Sequence, residues 1–406
     1  GGAGGARAGG GVRGGRGGGE GGVAAGAGGR GGRGALGAHG MGRGFVGGAR
    51  AADAGLVGGR LRRGGGYAEP GRCAVCRGLF ARLGEHCDEM VRLAEGIEFS
   101  TFLVGATLRP SVLDADDSMR SRHGLRGAPG IKSDVTGTLS RMFARRTRAR
   151  AEAASPDMTL KVDLRDGAVS IETRPVHVAA RYTKESREIP QRQGRCGECG
   201  GRGCVACGRR GISGTCSVEG RLAEFLCGAF GARQARFTWC GSEERSSTVG
   251  GRGRPFFARL SCPSRRRAAL PRRADLGGVT IVGARAVREP PGAAPRFALT
   301  ASLSIRAEED VGDEALGRLR SLRGPVTDYG SRMQRRPIHS SSLERSSARS
   351  FTLTLRVDGG FPIRRFVEGP DVSPNVSDTL EVRCSCERAD FADIDVLPAR
   401  RRGGAA

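Results

Sequence analysis

The sequence predicts an α+β protein, and three observations carry that class. The stretch "LKVDLRDGAVSIET", residues 160–173, alternates apolar and polar residues on both sides of Asp166-Gly167. An Asp-Gly pair between alternating runs is a hairpin signal, because glycine takes the positive φ that a tight turn needs. The stretch "CSVEGRLAEFLCGAFG", residues 216–231, places Val218, Leu222, Phe225, Leu226 and Phe230 on one helical face, with Ser217 as N-cap. Further along, "RFALTASLSI" (296–305) and "FTLTLRV" (351–357) alternate as half-buried strands of a mixed, mainly antiparallel sheet.

Taken in order, the first 66 of the 406 residues hold 32 Gly and ten Arg against two acids, Glu20 and Asp53. Such a segment buries too little apolar surface to offset its ordering entropy, so 1–66 is expected to be disordered. Its "RGGRGGG" is similar to an RGG-type RNA-binding tail; an arginine-rich targeting segment or translated non-coding sequence are the competing readings. The chain opens on Gly, and Met41 is read as an alternative start. Order is expected from Tyr67, with helices over 79–93 and 130–146 and then the Asp166-Gly167 hairpin, giving a first domain at 67–190. A second α+β domain is expected at 191–398, with a helix over 313–322 and a strand over "TLEVRCSC" (379–386), followed by a short tail, 399–406.

The formal charge is +25, and only three of the 67 basic residues are lysine: Lys132, Lys161 and Lys184. Arginine and glycine enrichment partly reflects codon bias, yet the field of such a chain still favours a polyanionic partner, nucleic acid first. No run of 18 apolar residues occurs, so no membrane span is expected. The thirteen cysteines cluster rather than spread as a disulfide framework, which reads as an intracellular metal-binding protein of nucleus or cytoplasm, with an organelle as the alternative. "CGECGGRGCVACGRRG" offers Cys196, Cys199, Cys204 and Cys207 as two Cys-x-x-Cys hooks. Four thiolates favour zinc and close a structural site, here a knuckle at 194–210. Cys73 and Cys76 form a weaker third hook, sharing an ion with Cys87 or His86 or binding nothing. Cys227, Cys240 and Cys262 are read as small buried hydrophobes, and Trp239 as core.

The order of further motifs is distinctive: "CAVCRGLFARLG", "GIKSDVTGTLSRMF", "RYTKESREIPQ", the four-cysteine segment, "GSEERSSTVGGRGRPF", "MQRRPI" and "GGFPIRRFVEGPDVSPNV". Together, over about residues 70–398, they resemble the archaeal and eukaryotic tRNA pseudouridine synthases of the Pus-ten family. The resemblance implies a THUMP-containing N-terminal domain, a pseudouridine synthase catalytic domain, and action on uridines of the TΨC arm of tRNA by a monomer without an organic or redox cofactor.

Carried onto this chain, the family's Gly-Arg-Glu-Asp becomes Gly241-Ser242-Glu243-Glu244, so Glu244 stands for the catalytic Asp and Ser242 for an Arg. Phe297 stands for the tyrosine that stacks on the target base, and Arg364 for the basic partner of the carboxylate. Gly253-Arg254-Pro255-Phe256 is kept in full, and the "QRTP"-like segment survives as Gln334-Arg335-Arg336-Pro337 before a divergent "HSSSLE". The resemblance implies RNA contacts at Lys132, Arg181, Lys184, Arg187, Arg254, Gln334 and Arg335; solvated surface turns and charge pairs are the bland alternatives.

Breaking an N-glycosidic bond and rejoining the base through carbon requires a flipped-out uridine, and the resemblance implies a carboxylate acting at the sugar or its adjacent carbon, a cation that holds it ionised and an aromatic ring that stacks on the base. Glu244 carries one methylene more than Asp, which moves its carboxylate by on the order of 1 Å. A displacement of that size costs about a hundredfold in rate. Two classes therefore stand: a divergent pseudouridine synthase using Glu244, and a non-catalytic RNA-binding protein, a chaperone or assembly factor derived from one.

Overall fold

A computed structural model describes residues 73–398 except 74, 123, 125–128, 292, 331 and 332. The expected disordered segment 1–66 and tail 399–406 lie outside the described residues.

Two sheets organise the molecule. The first is built from β1 (Thr101–Thr107), β2 (Arg150–Ala151), β3 (Met158–Asp163) and β4 (Val169–Thr173), in the order β2-β1-β3-β4. β1 runs parallel to β2 and β3, whereas β3 and β4 form the predicted antiparallel hairpin, with Gly167 at φ 85° in its turn. Helices α1 (Leu83–Ala94), α2 (Pro110–Arg122) and α3 (Ile131–Thr147) accompany this sheet. α1 buries Leu83, Cys87, Met90 and Ala94, a 3-to-4 spacing that turns one stripe inward. α3 brings Phe143 edge-on to Phe102 of β1, with ring centroids 4.8 Å apart.

The second sheet has eleven strands. They are β5 (Val176–Lys184), β6 (Gln234–Trp239), β7 (Val249–Ser261), β8 (Arg273–Asp275), β9 (Val279–Val287), β10 (Phe297–Ala307), β11 (Gly324–Asp328), β12 (Gln334–Arg345), β13 (Ser350–Asp358), β14 (Val372–Ser373) and β15 (Cys384–Val396). Their order is β14-β11-β12-β13-β10-β15-β7-β5-β9-β8, with β6 on β7. All these pairs are antiparallel except β15 with β7, which meet in parallel at Phe391 and Val249. This parallel seam is the middle of the sheet, and the candidate site lies on it.

Four helices complete this half: α4 (Val218–Phe230), α5 (Asp313–Arg320), α6 (Ile363–Glu368) and α7 (Val376–Leu380). The Ser217 hydroxyl accepts from Gly220 N at 2.9 Å, so the predicted cap closes α4, whose Val218, Leu222, Leu226 and Phe230 are buried.

Three expectations are corrected. The boundary at 190 assigned Val176–Lys184 to the first domain, but β5 pairs along its length with β7 and β9, so the sheets divide between Thr173 and Val176. The strand expected over 379–386 starts only at Cys384. Asn375 caps a helix there, accepting from Asp378 N at 2.7 Å, and that local bond claims Thr379 and Leu380 first. Cys262, read as buried, is exposed at φ 51°, whereas Cys227 and Cys240 are buried as expected. Trp239 is core, stacked 5.0 Å from Phe237.

The halves dock through the turn after β7. Glu98 N donates to Ser264 O at 2.7 Å, and Arg266 pairs with Asp157 at 3.0 Å.

Candidate active site and metal centre

The loop from Cys240 to Thr248 connects β6 to β7 and is held from beneath by buried charge. Glu243 and Arg254 pair at 2.6 Å with both side chains fully buried. Glu243 also accepts from the Tyr182 hydroxyl at 2.7 and 2.8 Å, and Arg254 Nη1 donates to Cys240 O at 2.8 Å. Burial first, and the Glu243 charge second, push the Tyr182 hydroxyl well above the ordinary tyrosine range, so it stays a donor. Gln191 adds bonds to the Tyr182 hydroxyl at 2.9 Å and to Gly241 O at 3.3 Å. The Arg254 guanidinium lies over the Phe391 ring at 5.3 Å, a cation–π contact beside its Nη2, which has no hydrogen-bond partner.

Lys184 is fully buried and donates from Nζ to Ile189 O, Glu244 O and Arg245 O at 2.8, 3.1 and 3.1 Å. Its three donors match three carbonyls, which fixes the backbone at Glu244. On the far side, Arg187 donates to Ser246 O and forms a bidentate pair with Asp390 at 2.7 and 2.7 Å. Burial alone would raise the Asp390 pKa; Arg187 and the Thr248 N–H overcome it and hold the carboxylate low. Thus the loop is tied to β5, β7 and β15 at once.

With its backbone fixed, Glu244 projects outward and meets Arg364 of α6. Arg364 Nε donates to Oε1 at 2.6 Å and Nη2 to Oε2 at 2.5 Å, a bidentate fork. Arg364 is itself anchored by Nη1 on Cys386 O at 3.0 Å. The bond to Arg364 holds the Glu244 carboxyl below its ordinary value of 4.5, against a smaller opposing effect of burial. The pair is half exposed, at 50% for Glu244 and 41% for Arg364.

Beside the pair opens a cleft of about 570 Å³, lined among others by Arg192, Ser242, Phe297, Arg336, Ile363 and Phe391. Glu244 and Arg364 sit at its margin: their neighbours Ser242 and Ile363 line it, and they do not. Phe297, half-buried at the start of β10, leans on two glycines; a Cβ at Gly241 or Gly359 would come within 2.6 or 2.5 Å of its ring. Glycine at both positions is what lets the ring lie there.

The structure pairs Glu244 with Arg364 and sets Phe297 in the wall of the cleft that Ser242 and Ile363 also line, and it redistributes the expected RNA contacts. Lys184 and Arg254 are withdrawn from that set, because both are fully buried and spend their charge on the loop. Arg187 is committed to Asp390, and Arg181 to Gly253 O and Ile394 O at 2.9 and 2.7 Å. Lys132 and Arg335 are exposed. Gln334 accepts from Arg336 at 2.8 Å, and Arg336, not Arg335, lines the cleft. Strand alternation supplies the signal, since neighbours on β12 face opposite sides. Tyr182, Gln191 and Asp390, which complete the support, were not singled out by the sequence.

The four sulfurs of Cys196, Cys199, Cys204 and Cys207 lie within 4.8 Å of one another, with separations of 3.9 Å (196–204), 3.9 Å (199–207) and 3.8 Å (204–207). Backbone N–H groups of Gly203 and Gly211 point at Cys199 Sγ and Cys207 Sγ at 3.1 and 3.2 Å, as suits thiolate acceptors. The group could hold one tetrahedrally bound metal ion. Cys73 and Cys76 are adjacent, with Cys76 N 3.3 Å from Cys73 Sγ, but among the described residues no third ligand joins them.

The chain thus joins a large, mainly antiparallel sheet with one parallel seam to a smaller α+β unit, and carries an Arg364–Glu244 pair between α6 and the loop before β7. Residues 86–163 match the family model described as Pus10 THUMP domain, archaeal. A tRNA pseudouridine synthase Pus10 of Cenarchaeum symbiosum is 41% identical, over 85% of this chain and 86% of the relative. Those of Nitrosopumilus maritimus and Korarchaeum cryptofilum are 35% and 28% identical, each over 80% of this chain and over 86% and 94% of the relative. The chain belongs to the Pus10 family of tRNA pseudouridine synthases. Among solved structures, a Cbf5-Nop10-Gar1 complex matches at TM-score 0.28 and 9% identity, over 43% of this chain and 44% of that one, a likeness too slight to bear on the fold. No helix among the described residues is long and apolar enough to cross a membrane.

Proposed function

We infer that this protein is a tRNA pseudouridine synthase that isomerises uridine in the TΨC arm, with Glu244 as its catalytic carboxylate. The observation that carries this reading is the bidentate bond from Arg364, which keeps Glu244 ionised. The reaction breaks the N1–C1′ bond and forms a C5–C1′ bond; the proton leaves C5 and N1 ends protonated. It needs no electrons and no second substrate. Glu244 acts at the ribose or the adjacent carbon, Phe297 stacks on the flipped uracil, and Arg336 and Arg192 offer positive charge to phosphates at the cleft mouth. Lys132 and Arg335, both exposed, serve as further phosphate contacts. Zinc at the four cysteines is structural, distant in role from the chemistry. The THUMP-containing domain ends before Val176, and the catalytic domain runs from there to the end of β15. A monomeric intracellular protein fits this reading.

The test is turnover of an unmodified tRNA transcript, with pseudouridine read by chemical mapping, for the native chain and Glu244→Ala. Native turnover lost in the variant, with RNA affinity kept, is the expected result. Equal yields in the two would favour the second reading, an RNA-binding protein that no longer modifies its RNA. Ser242 in place of the family's Arg, and a Glu244 at the margin rather than in the wall of the cleft, are the observations behind that reading.

A further inference from the structure

Many arginines among the described residues meet an acid. Arg187 pairs with Asp390, Arg252 with Asp395, Arg345 with Asp313, Arg349 with Asp310, and Arg365 with Asp328 and Asp371. The groove between the four-cysteine knuckle and the ends of β6 and β7 differs. Its volume is about 500 Å³, and Arg202, Arg209 and Arg233 stand on it together with Val205, Gln234 and Cys262. Arg209 and Arg233 are exposed, and neither guanidinium has a hydrogen bond or ion pair; Arg202 Nε only reaches Cys199 O, at 3.2 Å. The knuckle's acid, Glu198, forms no ion pair with these arginines; its carboxylate is 3.7 Å from Cys204 Sγ.

The groove is built rather than incidental. Arg209 holds φ 62°, a left-handed conformation that is costly for a side-chain-bearing residue and persists where the surroundings enforce it. Gly203 lets the chain pass close beside it, since a Cβ there would come within 2.5 Å of Arg209 O, and Arg209 N donates to Cys204 O at 2.7 Å. Gln234 on β6 bonds the knuckle at Gly201 O and Arg210 O, at 3.2 and 3.1 Å, and so fixes it to the catalytic sheet. Val205, 86% exposed at the knuckle tip, adds an apolar contact beside the charges.

We propose that this groove is a second RNA-contact surface, which takes the phosphate backbone of the bound RNA through Arg209 and Arg233. Unneutralised guanidinium groups held on a rigid rim are suited to phosphate, and the net charge of +25 brings a polyanion to them. The knuckle then has a binding role beyond holding its own loop. This rests on the reading of the chain as an RNA-binding enzyme.

The experiment measures the affinity of the full chain for an unmodified tRNA transcript across salt, for native protein and for Arg209→Gly with Arg233→Ala. Glycine suits the positive φ at 209, and metal content and melting temperature report whether the knuckle is intact. The log–log salt slope should become shallower by about 1.5, since each phosphate contact contributes roughly 0.7–0.9. A second variant, Arg209→Lys with Arg233→Lys, keeps the charge and should keep the native slope. A native slope that is steep and unchanged in the first variant overturns the proposal and leaves the groove to another partner such as a protein. A native slope that is flat overturns the RNA-binding reading itself.

Discussion

Arg364 grips Glu244 across 120 positions of sequence with two short bonds, Nε to Oε1 at 2.6 Å and Nη2 to Oε2 at 2.5 Å. The fork makes α6 and the loop before β7 one unit. It also leaves the carboxylate open to a substrate, because both side chains are about half exposed.

Removing the carboxylate should remove the chemistry and spare the binding. Glu244→Ala is expected to lower single-turnover pseudouridine formation by about 10²–10⁴, the usual worth of a positioned acid–base group, with RNA affinity unchanged. Glu244→Asp keeps the charge and removes the extra methylene relative to the family's Asp, so its single-turnover rate should exceed the native one.

The pH dependence follows from the same pair. Because Arg364 depresses the Glu244 pKa, the active carboxylate is present above an acid limb that lies below 4.5 and is lost as pH falls through it. In Arg364→Gln the limb should move upward, toward or past 4.5. A pH–rate profile under single-turnover conditions, taken as far into acid as the RNA and fold permit, checks the direction.

The Glu243–Arg254 pair is fully buried and carries bonds from Tyr182 and to Cys240 O. Truncating one partner strands the other charge. Arg254→Met should therefore destabilise the catalytic half by about 3–5 kcal/mol in denaturant unfolding. Glu243→Gln with Arg254→Met together should cost less than the sum of the single changes.

Lys184→Met should act on Glu244 through the backbone. Losing the donors to Glu244 O and Arg245 O loosens the loop, so kcat should fall while the KM for tRNA holds, since Lys184 is buried away from RNA. A rise in KM alone would point to a direct RNA contact.

Purified protein should carry one metal ion per chain, lost in Cys207→Ser and retained in Cys73→Ser with Cys76→Ser. The first hook set has four sulfurs within 4.8 Å, and the second has no third ligand among the described residues. Elemental analysis of the three proteins decides this.

Local chemistry made much of the molecule legible. The Asp166-Gly167 hairpin, the Ser217-capped helix and the two Cys-x-x-Cys hooks are set by short-range pattern, and the structure has them where the pattern put them. The ordered motifs likewise marked the family, and they marked Glu244 and Arg364, which the structure pairs. What sequence could not set is where a charge ends up relative to water. Lys184 and Arg254 look the same in sequence as Lys132 and Arg335, yet the first two are buried and spent on the loop and the last two are exposed. That difference depends on which face of β5 and β7 is covered when the seam with β15 forms. The same packing decided that β5 belongs to the larger sheet, that Asp390 steadies the loop from more than 140 positions away, and that Arg336 rather than Arg335 meets the cleft. Composition supplies the charges; the free energy of burying or pairing each one is fixed only by neighbours that the chain brings from afar.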